Sequence, residues 1–234
     1  MEIRPLLLSL LAVMTDAVAQ DPYAGQRRQM VEEIARMAPP AIAPEVLAVM
    51  ARVPRHRFVP AAQQPHAYEN RPLPIGSSQT ISQPYIVAFM TDLVAPRREH
   101  RVLEVGTGSG YQAAVLAELA GTVFSIEIVE SLGREAAHAL SDAGYRNVRT
   151  RIGDGYLGWP EEAPFDGIVV TAAAPEVPKP LIDQLKPGGR LVIPVGAGPA
   201  SQEIVIIDKL ADGRTTTRRS LPVRFVPLTR GKPR

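Results

Sequence analysis

The chain has 234 residues, 45% apolar and 21% charged, with 26 basic and 24 acidic side chains for a formal charge of +2. This is enough chain for one large domain with a sizeable core, and its hydrophobicity and charge balance exclude disorder over most of its length. It has no cysteine, which excludes disulfides, thiolate metal sites, iron–sulfur clusters and a cysteine nucleophile.

Residues 1–19 read as an export signal. Leu6 to Met14 is apolar except for Ser9, and the small residues Ala17-Val18-Ala19 precede Gln20. The run is too short to span a bilayer, and a non-cleaved helical extension is the alternative. Apolar spacing at Met30, Ile34 and Met37 predicts a helix over Gln26–Met37, ended by Pro39-Pro40. Pro44 suits the first turn of a helix over Glu45–Val53. From Pro54 to Pro84 the chain carries six prolines, which predicts an ordered loop region of the kind that usually serves function. Helical spacing resumes over Tyr85–Val94.

Beyond Arg101 the pattern alternates. Strands are predicted at Val102–Val105, Val123–Ile128, Val148–Ile152, Gly167–Thr171, Arg190–Pro194, Glu203–Leu210 and Ser220–Val226. Helices fit at Tyr111–Ala120, Ser131–Ala143 and Pro178–Gln184. This alternation predicts an α/β fold: a Rossmann-like, doubly wound, mostly parallel sheet of about seven strands with helices on both faces, behind an N-terminal helical and loop cap. The charge is uneven. Gly213 to Arg234 holds seven basic residues (Arg214, Arg218, Arg219, Arg224, Arg230, Lys232 and Arg234) and no acid, whereas the remainder carries 19 basic and 24 acidic groups. A solvated edge and a patch that gathers acidic peptides both fit. No zinc-finger spacing or aromatic-interleaved basic patch points to nucleic acid.

The strongest constellation is Val102-Leu103-Glu104-Val105-Gly106-Thr107-Gly108-Ser109-Gly110, an apolar strand running through a glycine turn into a helix. Glycines let the backbone approach a ligand closely, and the open N–H groups of the first helical turn offer donors. Glu127 ends the next strand, placed to accept hydrogen bonds from ribose hydroxyls. Together these predict an adenosine-containing ligand. A dinucleotide fingerprint needs its third glycine one position later, where this chain has Tyr111. Glu104 suits a cationic ligand with an amino-acid end better than a diphosphate, and S-adenosylmethionine is such a ligand. Gly153-Asp154-Gly155 could present an acceptor and bare backbone to an adenine edge, or form a plain turn. His56, His66, His100 and His138 show no ligand spacing, and no metal is expected. Trp159 reads as a core or surface anchor, Asp166 as a turn or cap residue, and Lys186-Pro187-Gly188-Gly189 as a tight turn between helix and strand.

Further stretches are Arg57-Phe58-Val59-Pro60, Leu73-Pro74-Ile75-Gly76, Gln79-Thr80-Ile81-Ser82-Gln83-Pro84, Ala163-Pro164-Phe165-Asp166, Thr171-Ala172-Ala173-Ala174-Pro175, Gln184-Leu185-Lys186-Pro187-Gly188-Gly189 and Phe225-Val226-Pro227-Leu228-Thr229. With the glycine loop, these run in order over roughly residues 25–230 and resemble the protein-L-isoaspartate O-methyltransferase family. The glycine loop is shared with many methyltransferases; the Gln-Thr-Ile-Ser-Gln-Pro run is the specific part. The resemblance implies methyl transfer from S-adenosylmethionine to the free α-carboxylate of L-isoaspartyl residues in damaged proteins and peptides, without a metal or a covalent enzyme intermediate. It makes Ser82 the active-site residue. It places cofactor contacts at Gln79, Thr80, Ile81 and Ser82, and at Ser109, Glu127, Ile128, Asp154, Gly155 and Thr229, beside Glu104, Gly106 and Gly108 of the glycine loop. Where the family sometimes has a histidine shortly after the serine, this chain has Tyr85-Ile86-Val87. On local sequence alone, Ser82 before Gln-Pro reads as a helix N-cap.

The implied organisation is a leader or extension over residues 1–19, a helical and substrate-loop region over 20–95, and an S-adenosylmethionine-binding domain over 96–234. Isoaspartyl proteins and peptides are the expected partners of a monomer that binds neither nucleic acid nor membrane. The leader favours export to the periplasm; a cytoplasmic location, where the donor is made, is the alternative. The chemistry is consistent with the residues. A carboxylate with a pKa of about 4 is already a nucleophile at neutral pH. Alignment and exclusion of water can supply about 7–11 kcal/mol. Competing readings are the same fold acting on another small acid and a cofactor-binding protein without catalysis.

Overall fold

A computed structural model describes residues 21–37, 41–198 and 200–231. The export-signal reading of residues 1–19, Pro39-Pro40, and the terminal Lys232 and Arg234 lie outside them. Helices α1 (Ala24–Arg36), α2 (Pro44–Met50) and α3 (Pro84–Val94) pack on one another, burying Met30 and Ile34, Val46 and Met50, and most of α3. Pro44 and Pro84 stand at first-turn positions, where a missing N–H costs nothing. α3 ends at Ala95, whose φ of +47° leaves the helical region.

The proline-rich stretch is more ordered than a loop. It holds two 3-10 turns, Arg55–Phe58 and Ala61–His66, and an antiparallel hairpin of β1 (Leu73–Gly76) and β2 (Gln79–Ile81). The two-residue turn places Ser77 and Ser78 at φ 49° and 57°, the positive values that this tight connection requires. Strands this short, one containing proline, leave no alternation to read.

The main sheet has seven strands in the order β5-β4-β3-β6-β7-β8-β9: β3 Arg101–Val105, β4 Thr122–Glu127, β5 Val148–Ile152, β6 Phe165–Val170, β7 Leu185–Val195, β8 Gln202–Lys209 and β9 Thr215–Val223. The first five in that order run parallel, and β8 and β9 close one edge antiparallel. This is the predicted mostly parallel, doubly wound sheet. Its layers are unequal. Val102, Val123, Val169 and Val192 face a thick layer containing α1–α3, α4 (Tyr111–Ala117) and α5 (Glu130–Asp142). Leu103, Phe124, Ile168 and Leu191 face a thin layer of α6 (Lys179–Asp183) and short turns. Alternating residues thus enter opposite cores, which is why these strands read as continuous apolar runs.

Two boundaries are corrected. β9 starts five residues before the predicted Ser220, because Thr215–Arg219 pairs with β8 as an exposed polar edge without apolar alternation. Lys186 to Gly189 does not separate helix from strand. Leu185 already pairs with Phe165 and Arg190 with Gly167, so those four residues bulge opposite Asp166. Lys186 Nζ donates to Asp166 Oδ1, and the Arg101 amide to Oδ2, both at 2.8 Å.

Candidate active site

Parallel strands β3 and β4 run in one direction of winding and β6 lies on the other side of β3, so a crevice opens beyond their carboxyl ends. The glycine turn fills its floor. Gly106, Gly108 and Gly110 have φ of +98°, +51° and +87°, conformations that side chains rarely adopt. A Cβ at Gly106 would run into Thr171 Oγ1, which donates to the carbonyls of Gly106 and Val105. The amides of Gly106 and Thr107 donate to Ile126 O at 2.8 and 3.1 Å. Glu127 braces the turn: its Oε2 accepts from the Gly108 amide (2.8 Å) and its Oε1 from Val129 (2.9 Å). Each oxygen keeps acceptor capacity toward the crevice.

Glu104 lies beneath the turn, fully buried. Thr107 Oγ1 and Ser125 Oγ are 2.6 Å apart, and the Ser125 hydroxyl donates to Glu104 Oε2. Oε1 has no partner among the described residues. Burial, with the nearby charge of Glu127 adding to it, pushes the carboxyl pKa up to about 8 against the pull of Ser125 and of the nearby Ala113 amide, which makes no hydrogen bond of ordinary geometry to Oε1.

The resulting cleft holds about 770 Å³, counting its open mouth, a size suited to a nucleoside-sized ligand. Of the sequence-predicted site residues, Gln79, Thr80, Ile81, Ser82, Glu104, Gly106, Gly108, Ser109, Glu127, Ile128, Gly155 and Thr229 all line it. Asp154 does not. Its Oδ1 accepts from the Tyr156 amide (2.9 Å), capping the turn Gly155–Leu157, and its Oδ2 accepts from Gly231 (3.1 Å). Each oxygen accepts one backbone amide and keeps a second lone pair, and the bond to Gly231 lets Asp154 fasten the segment after β9. That segment is also held by Leu228 N to Ala173 O (2.7 Å), by Ala173 N to Val226 O (2.8 Å), and by Arg230 stacked 4.1 Å from the Tyr156 ring centre. Its residues Val226–Thr229 form one wall of the cleft.

Ser82 does not cap a helix. The N-cap of α3 is Gln83, without a side-chain cap bond, because Pro84 occupies the first helical position. The Ser82 carbonyl instead accepts from Arg55 Nη2 at 2.8 Å. Ser82 and Thr171 line both the first cleft and a wider neighbouring groove of about 1650 Å³, open mouth included. The groove is walled by Met37, Tyr85, Ile86, Leu221 and Phe225, and Arg224 is the one charged side chain among its described lining residues. Tyr85 and Ile86 therefore border this groove, and only Val87 of that trio reaches the cofactor-sized cleft.

Sequence reasoning assigned no role to Thr107, Thr171, Tyr111 or Arg55. Thr171 opens the Thr171-Ala172-Ala173-Ala174-Pro175 motif, but its bond to the glycine turn spans 65 residues. The basic stretch resolves into parts. Arg214, Arg218 and Arg219 pair with Asp212, Asp208 and Glu203 on the edge hairpin, as the solvated-edge reading has it. Arg224 faces the groove. Trp159 packs edge-on against Phe124 at 5.7 Å, an anchor as expected. No group of three or more metal-ligating side chains occurs among the described residues, and no helix among them is long and apolar enough to cross a membrane.

The sequence model of the protein-L-isoaspartate(D-aspartate) O-methyltransferase (PCMT) family matches residues 26–233. Protein-L-isoaspartate O-methyltransferase 2 of Syntrophobacter fumaroxidans is 58% identical, over 97% of this chain and 95% of its own. The protein-L-isoaspartate O-methyltransferase of Opitutus terrae is 53% identical over the whole of both chains. A solved protein-L-isoaspartate O-methyltransferase is 28% identical with a TM-score of 0.78, covering 86% of this chain and 65% of its own. A Plasmodium falciparum structure in complex with S-adenosyl-L-homocysteine superposes at a TM-score of 0.75 and 23% identity, over 89% of this chain and 99% of its own, which shows the shared fold.

Proposed function

The chain belongs to the protein-L-isoaspartate(D-aspartate) O-methyltransferase family, and from that premise we propose how its residues divide the work. The enzyme transfers a methyl group from S-adenosylmethionine to the free α-carboxylate of L-isoaspartyl residues in damaged proteins and peptides. When bound, the donor supplies a methyl group made electrophilic by its sulfonium; the S–C bond breaks as the carboxylate O–C bond forms, giving a methyl ester and S-adenosyl-L-homocysteine.

The observation that carries this reading is Glu104 Oε1, a buried acceptor without a partner at the floor of a glycine-lined cleft. A buried unpaired carboxylate is costly, and the ammonium of an amino-acid-bearing ligand is the complement it lacks. Glu127 offers acceptors for ribose hydroxyls, and the bare backbone of Gly106, Gly108 and Gly155 allows close approach. Gln79, Thr80, Ile81, Ser109, Ile128 and Thr229 complete the enclosure. Asp154 acts on the ligand through the Val226–Thr229 wall that it holds. The groove beyond Ser82 takes the peptide. Its apolar walls strip water from the acceptor, while the Ser82 hydroxyl orients a carboxylate that is ionised already and needs no base.

The test is a radiolabelled-methyl assay with matched peptides containing an isoaspartyl or a normal aspartyl residue. Label should enter the isoaspartyl peptide alone, as a base-labile ester. Transfer to neither peptide would refute the assignment.

A further inference from the structure

Arg55 is fully buried among the described residues and has no acidic partner among them. Its Nε donates to Ala67 O and its Nη2 to Ser82 O, each at 2.8 Å. Its guanidinium carbon lies 4.7 Å from the centre of the Tyr111 ring. Nη1 has no partner among the described residues. Burial draws its pKa down to about 10, opposed by the neighbouring tyrosines, so it stays charged at neutral pH.

A buried cation without a carboxylate is a poor device for stability alone, since an apolar side chain of that volume avoids the desolvation. What Arg55 holds is specific. One arm fixes the carbonyl of Ser82, whose side chain stands where the two cavities meet. Its guanidinium lies over the ring of Tyr111, the first residue of α4 and the immediate successor of Gly110. Its remaining bond ties both to the 3-10 turn ending at His66. Three segments, from before the hairpin, after the hairpin and after the glycine turn, converge on one guanidinium.

We propose that Arg55 is a positioning residue for methyl transfer. It sets Ser82 in register with the donor cleft, so that acceptor and donor meet in line. The proposal rests on the reading of Ser82 as the residue that orients the acceptor. A lysine cannot replace the device. Its single ammonium lacks the planar fork that reaches two carbonyls while stacking on a ring.

The experiment compares wild type with Arg55→Lys, using an isoaspartyl peptide and normalising rates to sites that bind S-adenosyl-L-homocysteine by calorimetric titration. Wild-type transfer to the peptide first establishes the function itself, so failure there is distinct from failure of this proposal. We expect kcat per binding site to fall at least tenfold, with S-adenosyl-L-homocysteine Kd within threefold and peptide KM little changed. An unchanged kcat per site, or a loss confined to the number of binding sites, would overturn the proposal, because either marks a purely structural role. Should Arg55→Lys fail to fold, hydrogen exchange on the wild-type S-adenosyl-L-homocysteine complex decides. Residues 79–83 exchanging as slowly as α4 supports it; exchange a hundredfold faster than α4 overturns it, since a serine on a freely opening segment is not held in register.

Discussion

Glutamine in place of Glu104 removes a titration that the ligand-free fold carries at its own expense. The carboxyl has an ordinary pKa of 4.5 and a folded value of about 8. Between those values the folded protein keeps its proton and the unfolded chain has lost it. The native state therefore binds more protons, and stability falls as pH rises, by about 1.4 kcal/mol per unit. From pH 5.5 to pH 7.5 the loss is about 2–3 kcal/mol for this group. Urea denaturation of ligand-free wild type and Glu104→Gln at both values measures it. With a urea slope of about 2–3 kcal/mol per molar, the wild-type midpoint should fall about 1 M further than that of the variant. Saturating S-adenosylmethionine should abolish the difference, because its ammonium would hold the carboxylate ionised in the fold. Parallel midpoint shifts in wild type and variant would refute both the buried, unpaired state of Glu104 and the role drawn from it.

Other substitutions separate the remaining roles. Ser82→Ala should leave stability within about 0.5 kcal/mol, since the hydroxyl caps no helix, while kcat falls; equal kcat beside a lowered thermal midpoint would restore a structural role. Asp154→Ala frees the Gly231 amide and uncaps the turn at Gly155. It should weaken S-adenosyl-L-homocysteine binding about tenfold, or about 1.4 kcal/mol, by calorimetry; undiminished affinity would separate that wall from the ligand. Arg224→Gln should flatten the salt dependence of kcat/KM for peptides with acidic neighbours. The same salt slope in wild type and variant would return Arg224 to a solvated surface.

The sheet was legible because each central strand buries both faces, and the turn after β3 because left-handed backbone selects glycine. Glu127 was legible for a related reason: its position at the end of β4 is fixed by strand length. Other features left no local trace. The β1–β2 hairpin is too short for alternation, and its turn uses two serines where glycine or asparagine would signal it. Ser82 read as a cap because Ser-Gln-Pro allows two registers; proline at the first helical position selects Gln83. Asp154 read equally as a ligand or a turn residue, since the partner that engages its Oδ2, the Gly231 amide, lies 77 residues away. Arg55 was invisible for the same reason. Its partners are backbone carbonyls, which every residue possesses, so no residue type marks the acceptors.

The cleft wall at Val226–Thr229 continues directly from β9, the outermost strand of the sheet. Donor occupancy and fraying of that edge are then one coupled equilibrium. By reciprocity, whatever free energy the ligand gains from a closed wall is returned as resistance of the wall and its edge strand to peeling away. Donor binding thus opposes the peeling of β9 that would bare the edge of β8 for association with another strand.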